Sequence, residues 1–162
     1  MYRPDLVDVW VFRTIGPREI EILLMRRSPG RMLAGLWQGV SGSLEEGERV
    51  TAGALRELEE ETGYAGPGIE AFYDLDLVNR FHWEPLDAIV SAAVFAVRVG
   101  PTAEPVLSEE HDAYRWGAPQ DAHATVVWPG YHDALTIVER DLLDPDREPW
   151  FRLGPDGTRV RG

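Results

Sequence analysis

From Arg49 to Thr62 the chain runs through Ala, Leu, Arg and Glu without a proline, and the run stops at Gly63. Such residues lose little side-chain freedom in helical backbone, and a glycine after them supplies the left-handed residue that ends a helix. A helix is therefore predicted here more firmly than any other element. The flanking segments have the opposite character. Leu6 to Ile15 and Glu19 to Arg27 are rich in Val, Ile and Leu and are parted by Gly16 and Pro17, which predicts two strands joined by a turn. Phe72 to Trp83 and Ala88 to Val99, parted by Glu84, Pro85 and Asp87, predict a second pair. Any fold for this chain must set one strong helix between strand pairs.

The remaining segments fill in that frame. Ser28 to Gly35 and Gly42 to Glu48 read as loops, with Leu36 to Val40 resuming between them as a short strand. Ala113 to Trp116 predicts a further short strand. After Pro129 and Gly130, the stretch Tyr131 to Leu143 places Ala134, Leu135, Val138 and Leu142 at helical spacing, so a second helix is expected. Residues 144–162 carry Pro145, Pro149 and Pro155 and are expected to form an extended tail packed by Trp150 and Phe151. A length of 162 residues suits one domain spanning 1–162.

Composition removes several classes of function. A formal charge of -12 has the wrong sign for gripping a polynucleotide backbone. The N-terminal apolar residues are interrupted by Arg3, Asp5 and Asp8, and no uninterrupted apolar run suits a signal peptide or a membrane span, so a cytoplasmic protein is expected. With no cysteine, disulfides and thiolate chemistry are excluded.

On the predicted helix, Glu57, Glu60 and Glu61 stand at i, i+3 and i+4 and share one face. A solvated acidic face would have the same spacing, and each like-charge pair costs only about 0.2–0.5 kcal/mol. The context decides otherwise. Gly53 leaves space on that face, and Gly42 and Gly47 let the preceding loop turn and bring Glu48 toward the cluster. Oxygen-only ligation suits Mg²⁺ or Mn²⁺, hard cations that share their coordination between carboxylates and substrate phosphates.

Gly42, five residues, Glu48, seven residues, then Arg56, Glu57, Leu58, Glu59, Glu60, Glu61, Thr62 and Gly63 resembles the Nudix box. Tyr64 stands where that box ends in an aliphatic residue, a departure that touches packing. Over residues 42–64 the resemblance implies an α/β fold, the Nudix α/β/α sandwich with a mixed sheet between helices, and the order of elements above agrees with it. It further implies that Glu57, Glu60 and Glu61 bind metal, that Arg56 orients Glu57, and that Glu48 supports the cluster, with Gly42 and Gly63 structural.

Beyond the box, Ser108 to Trp116 (SEEHDAYRW) is similar to a segment of the dATP and dihydroneopterin triphosphate pyrophosphohydrolase branch. That likeness makes Glu110 the fourth candidate metal ligand or general base, with Glu109 its rival; an exposed acidic turn is the structural alternative. Met25-Arg26-Arg27 and Leu36-Trp37-Gln38 followed by Val40-Ser41-Gly42 resemble the same branch. Arg26 is the candidate phosphate contact, Arg27 and Arg31 could serve likewise, and Trp37 and Ser41 complete the candidate substrate-binding set. Trp37, Phe81 and Trp83 could stack on a base, although such residues more often fill cores. His82, His111, His123 and His132 form no ligand pair defensible from sequence.

The resemblance thus implies hydrolysis of a phosphoanhydride in a nucleoside-diphosphate-linked small molecule. Two or more Mg²⁺ ions held by Glu57, Glu60, Glu61 and Glu110 would clamp the diphosphate and acidify water. A (d)NTP cut to monophosphate and pyrophosphate is the first expectation, with ADP-ribose or a dinucleoside polyphosphate as alternatives. The rival of another class is a non-catalytic nucleotide-binding module. The expected partner is a small-molecule nucleotide, with no nucleic acid and no membrane, and a homodimer is left open.

Overall fold

A computed structural model describes residues 1–161. The strands are β1 (Leu6–Gly16), β2 (Glu19–Arg27), β3 (Trp37–Gln38), β4 (Val40–Ser43), β5 (Ile69–Trp83), β6 (Ala88–Val99), β7 (His111–Gly117) and β8 (Arg152–Leu153). The helices are α1 (Val50–Thr62), α2 (Pro119–Thr125), α3 (Pro129–Arg140) and the single turn α4 (Glu148–Phe151). The strands form one mixed sheet in the order β3-β2-β1-β6-β5-β8, with β4 also pairing β1 and β7 also pairing β2. β1 runs parallel to β6, and its other pairings, with β2 and β4, are antiparallel.

β1 shows why the sheet is covered on both faces. Val7, Val9 and Val11 pack with Ala54 and Leu58 of α1, whereas Trp10 and Phe12 pack with Ala134, Leu135 and Val138 of α3. An unbroken apolar run is what a strand buried on both sides requires. The α/β class and the mixed sheet between helices expected above are thereby borne out.

Several boundaries differ from expectation, each for a local reason. Leu36 to Val40 does not form one strand: Trp37–Gln38 pairs β2, and after Gly39 the chain crosses to pair β1. A Cβ at Gly39 would stand 2.9 Å from the Val9 carbonyl oxygen and 3.2 Å from the Trp10 ring, so only glycine permits this close crossing. β7 begins two residues earlier than the alternation suggested, at His111, because it continues its pairing with β2 as far as Arg27. α3 starts at Pro129, whose fixed φ and missing N–H suit a first turn. α2 was not anticipated; it also opens on proline, and its seven residues are too few to display a helical period. The tail is not extended. It folds through α4 into β8, which pairs β5, and Phe151 packs on the core while Trp150 remains 58% exposed beneath the Arg161 guanidinium. Glu148 pins this arrangement by accepting hydrogen bonds from Tyr73 and Arg152.

Candidate active site

α1 ends as its sequence demands: Gly63 is left-handed at φ 75 and its N–H caps the Glu59 carbonyl at 2.8 Å. The helix buries Gly53, Ala54, Glu57, Leu58, Glu61 and Thr62. Two glutamates therefore lie on the face turned to the sheet, where an aliphatic side chain would contribute about 1.5–3 kcal/mol of burial. The triplet divides: the side chains of Glu57 and Glu61 are 12% and 3% exposed, and that of Glu60 is 58% exposed.

Arg56 holds this face together. Its Nε and Nη2 donate to the two Glu48 oxygens at 2.8 and 3.1 Å, its Nη1 to Glu57 at 2.8 Å and to Glu60 at 3.3 Å, and its Nη2 also to the Ser43 carbonyl at 2.9 Å. The planar fork of arginine suits such simultaneous bonding. Glu48 is held well below the usual carboxylate range, at about 2, by Arg56 first and by the Glu45 N–H second. The gap expected beside Gly53 is filled by Leu44 and Glu48, whose side chains a Cβ there would strike. Gly42 is the glycine that makes room for Glu57, since a Cβ on it would overlap that residue's carboxyl group.

Glu57, Glu60 and Glu61 share a cleft of about 260 Å³ with Glu109, Glu110, Ser108 and Arg31. The loop carrying Ser108, Glu109 and Glu110 is tethered at both ends, by the Val106 N–H on the Thr62 carbonyl at 2.9 Å and the Ser28 N–H on the Glu110 carbonyl at 2.9 Å. Carboxylates crowded in this way repel, and among the described residues no three stand at metal-ligand spacing. The charge is most unfavourable at Glu61, pushed up to about 9 by burial and then by the charges of Glu110 and Glu57. The Ser41 main chain offsets this in part, yet neither Glu61 oxygen has a partner in hydrogen-bond geometry. Glu57 is raised as well, by burial against the opposing pull of Arg56. Buried, unpartnered carboxylate oxygens around a solvent-open cleft fit a hard divalent cation, which supplies the missing charge and accepts oxygen ligands alone.

Arg26, Trp37 and the Ser41 side chain are engaged in contacts of their own. Arg26 is paired with Asp112 through Nε at 2.8 Å and Nη2 at 3.1 Å, and it lies 5.8 Å from the centroid of Trp37, which Arg115 approaches at 5.0 Å. Ser41 stands opposite Asp8 in the β1–β4 pairing and hydrogen-bonds it. Arg31 lines the carboxylate cleft, with its Nη2 4.0 Å from Glu109. Phe81 and Trp83 meet edge to face at 6.2 Å on the outer part of β5.

Three arrangements had no counterpart in the sequence reading. Asp8 is buried on β1, and burial raises it to about 6 against the hydrogen bonds of Ser41 and Asn79; its only sequence signal was a carboxylate within an apolar run. His111, adjacent to Glu110, has its Nδ1 3.8 Å from Glu61 and is lowered to about 4 by burial and then by Arg27. His123 and His132 do form a pair, Nδ1 to Nδ1 at 3.0 Å across α2 and α3. No fixed spacing links residues on separate elements, so sequence could not reveal it.

Comparison with known proteins adds independent support. A family model described as NUDIX domain matches residues 3–138. A NUDIX hydrolase of Listeria monocytogenes superposes with a TM-score of 0.73 at 24% identity, covering 86% of this chain and 94% of that one. The dihydroneopterin triphosphate pyrophosphohydrolase of E. coli gives 0.69 at 22% identity, covering 83% and 93%. An Ap4A hydrolase of C. elegans gives 0.67 at 20% identity, covering 82% and 93%. At these identities the structural likeness speaks for the fold. In sequence, the chain is 43% identical over 112 residues to an octanoyltransferase of Myxococcus xanthus, a match covering 68% of this chain but only 29% of that protein's length. Among the described residues no helix is long and apolar enough to cross a membrane. A family match across most of the chain, on a fold that gathers the box carboxylates into one cleft, shows that the chain belongs to the NUDIX family.

Proposed function

We propose that this protein hydrolyses a nucleoside triphosphate to the monophosphate and pyrophosphate at the cleft between α1 and the loop preceding β7. The observation that carries the reading is the convergence on that cleft of Glu57, Glu60 and Glu61 from the helix with Glu110 from a distant segment of the chain. Glu110 belongs to the stretch whose likeness to the triphosphate-cleaving branch suggested the substrate, and its position beside the helix carboxylates supports that choice over ADP-ribose or a dinucleoside polyphosphate. The reading carries with it a cytoplasmic setting and a small-molecule nucleotide as partner.

Glu57, Glu60, Glu61 and Glu110 would hold Mg²⁺ or Mn²⁺, which when bound offsets the charge of the diphosphate and polarises it toward attack by water. The protein's own groups do the positioning. Arg56 fixes the Glu57 carboxylate and keeps Glu48 ionised beside it. Arg31, at the cleft, offers a guanidinium to phosphate oxygens, with Arg26 available once released from Asp112. Glu110 would take the proton of the attacking water, a role supported by its lining the same cleft as the helix carboxylates.

The test is a panel of nucleoside triphosphates, ADP-ribose and dinucleoside polyphosphates, incubated with Mg²⁺ or EDTA and analysed by chromatography, with Glu61→Gln in parallel. Monophosphate plus pyrophosphate, lost in EDTA and in the variant, is expected. Cleavage of ADP-ribose alone would overturn the substrate choice, turnover that survives EDTA would overturn the metal-dependent mechanism, and no turnover on any member of the panel would favour a nucleotide-binding module.

A further inference from the structure

Behind the carboxylate cleft lies a line of buried polar groups that hydrolysis as described above leaves unused. The Tyr131 hydroxyl is 3.3 Å from Gln38 Oε1, Gln38 Nε2 is 3.1 Å from His111 Nε2, and His111 Nδ1 is 3.8 Å from Glu61 Oε2. The line crosses the protein from α3 through β3 and β7 to α1. The His111 side chain is 0% exposed, and its Nδ1 and both Glu61 oxygens are buried without a partner. An aliphatic residue at position 111 would fill the same space without the cost of an unpaired polar atom, roughly 1–3 kcal/mol.

The hydrogen-bond roles along this line are not free. An amide nitrogen only donates, so Gln38 Nε2 makes His111 Nε2 the acceptor. The amide is oriented in turn by Tyr131, whose hydroxyl donates to Gln38 Oε1. A wholly buried imidazole is neutral, and a neutral ring that accepts at Nε2 carries its proton on Nδ1. Nδ1 is the atom that faces Glu61. The reverse arrangement, with the amide turned and the proton on Nε2, would set an imidazole lone pair against the Glu61 carboxylate whenever a bound cation keeps it ionised.

We propose that His111 is a positioning residue for Glu61, locked by Tyr131 and Gln38 as the Nδ1–H tautomer so that a buried N–H is aimed at the Glu61 carboxylate. Once a bound cation keeps Glu61 ionised, the carboxylate finds a buried donor on the side of the sheet while the residue still borders the cleft. Groups that orient a metal-binding carboxylate in this way are worth about 10–100-fold in metal affinity. The inference rests on the reading of Glu61 as a working carboxylate of the cleft, but not on any particular substrate.

The test begins on the intact wild-type protein with ¹⁵N-labelled histidine. Two-bond ¹H–¹⁵N spectra distinguish the two tautomers, and the His111 signals are assigned by their loss in His111→Asn. A protonated Nδ1 with a bare Nε2 is expected, giving way to a mixture or to the opposite tautomer in Gln38→Met. Mn²⁺ affinity, read by electron paramagnetic resonance, should fall about tenfold or more in His111→Leu. His111→Asn, whose amide nitrogen can stand in for Nδ1–H, should recover most of that loss. A proton on Nε2 in the Mg²⁺-loaded wild type, or equal Mn²⁺ affinity in a folded His111→Leu, overturns the proposal; should a variant fail to fold, the His111 ring is assigned by through-bond correlation to its own backbone, and the tautomer decides. Neither readout requires nucleotide turnover. A protein that shows the Nδ1–H tautomer yet hydrolyses nothing would refute the hydrolytic reading alone.

Discussion

Replacing Gly42 by alanine should injure the site through one contact. A Cβ at position 42 would lie closer than 3.0 Å to the Cδ, Oε1 and Oε2 of Glu57. The backbone there is pinned by the pairing of Gly42 with Val7, and its φ is one any residue adopts, so the strain is steric and falls on the glutamate. Glu57 cannot swing away freely, because Arg56 Nη1 holds it at 2.8 Å and the pair is mostly shielded, at 12% and 24% exposure. Either the ion pair breaks or Arg56 is drawn off Glu48. Overpacking of this kind costs about 1–3 kcal/mol, which for a chain of this size lowers Tm by about 2–12 °C. Displacing the Glu57 carboxylate should also weaken Mn²⁺ binding about tenfold or more. Gly68→Ala is the control, since a Cβ there meets nothing within 4 Å; its stability should stay within about 0.5 kcal/mol of wild type. Thermal denaturation followed by circular dichroism, with Mn²⁺ titration by electron paramagnetic resonance, measures both effects. A Gly42→Ala protein with wild-type Tm and wild-type Mn²⁺ affinity would refute the argument that this glycine exists to seat Glu57.

Three further outcomes are expected. Arg56→Lys keeps the charge but not the fork that serves Glu48, Glu57, Glu60 and Ser43 together, so turnover of the best nucleotide in the panel should fall about 10–100-fold; unchanged kcat/KM would count against the hub. Asp8 is raised by burial from 3.8 to about 6, so ionising it opposes folding: the penalty is absent below about pH 4 and complete above about pH 6. Asp8→Asn should therefore be the more stable protein at pH 8, by up to about 3 kcal/mol in urea denaturation, and equal to wild type near pH 4; a gap that does not vary with pH would contradict this. Glu61 is likewise raised, from 4.5 to about 9, so its stability penalty grows as pH rises above 4.5. Metal-free Glu61→Gln should melt several degrees above wild type at pH 8 with the difference shrinking toward pH 5, and a lower Tm for the variant at pH 8 would show that the buried carboxylate is not under strain.

What could be read without the fold was whatever local geometry dictates. α1 and its glycine stop followed from side-chain type and a left-handed cap, and the 3.6-residue period alone placed Glu57, Glu60 and Glu61 near one another. The two long strand pairs announced themselves through β-branched residues and the turns between them. Short elements were less readable: seven residues of α2 hold under two turns, and the division of β3 from β4 depends on how closely the chain at Gly39 passes Val9 and Trp10.

Helical spacing showed that three glutamates share a side of α1, but not that Glu57 and Glu61 are buried while Glu60 stays in solvent, since burial depends on what packs against that side. The sequence by itself therefore determined the family, the class of fold and which acids share a side of α1, all carried by residue type at fixed intervals. Tertiary structure decided which acids strain against burial, that Arg31 meets the cleft while Arg26 is bound to Asp112, and that His111 faces Glu61. The reason is physical: a spacing along one helix or strand is a local constraint, whereas dielectric, steric closeness and hydrogen-bond partnership arise between elements that only the packed sheet brings together.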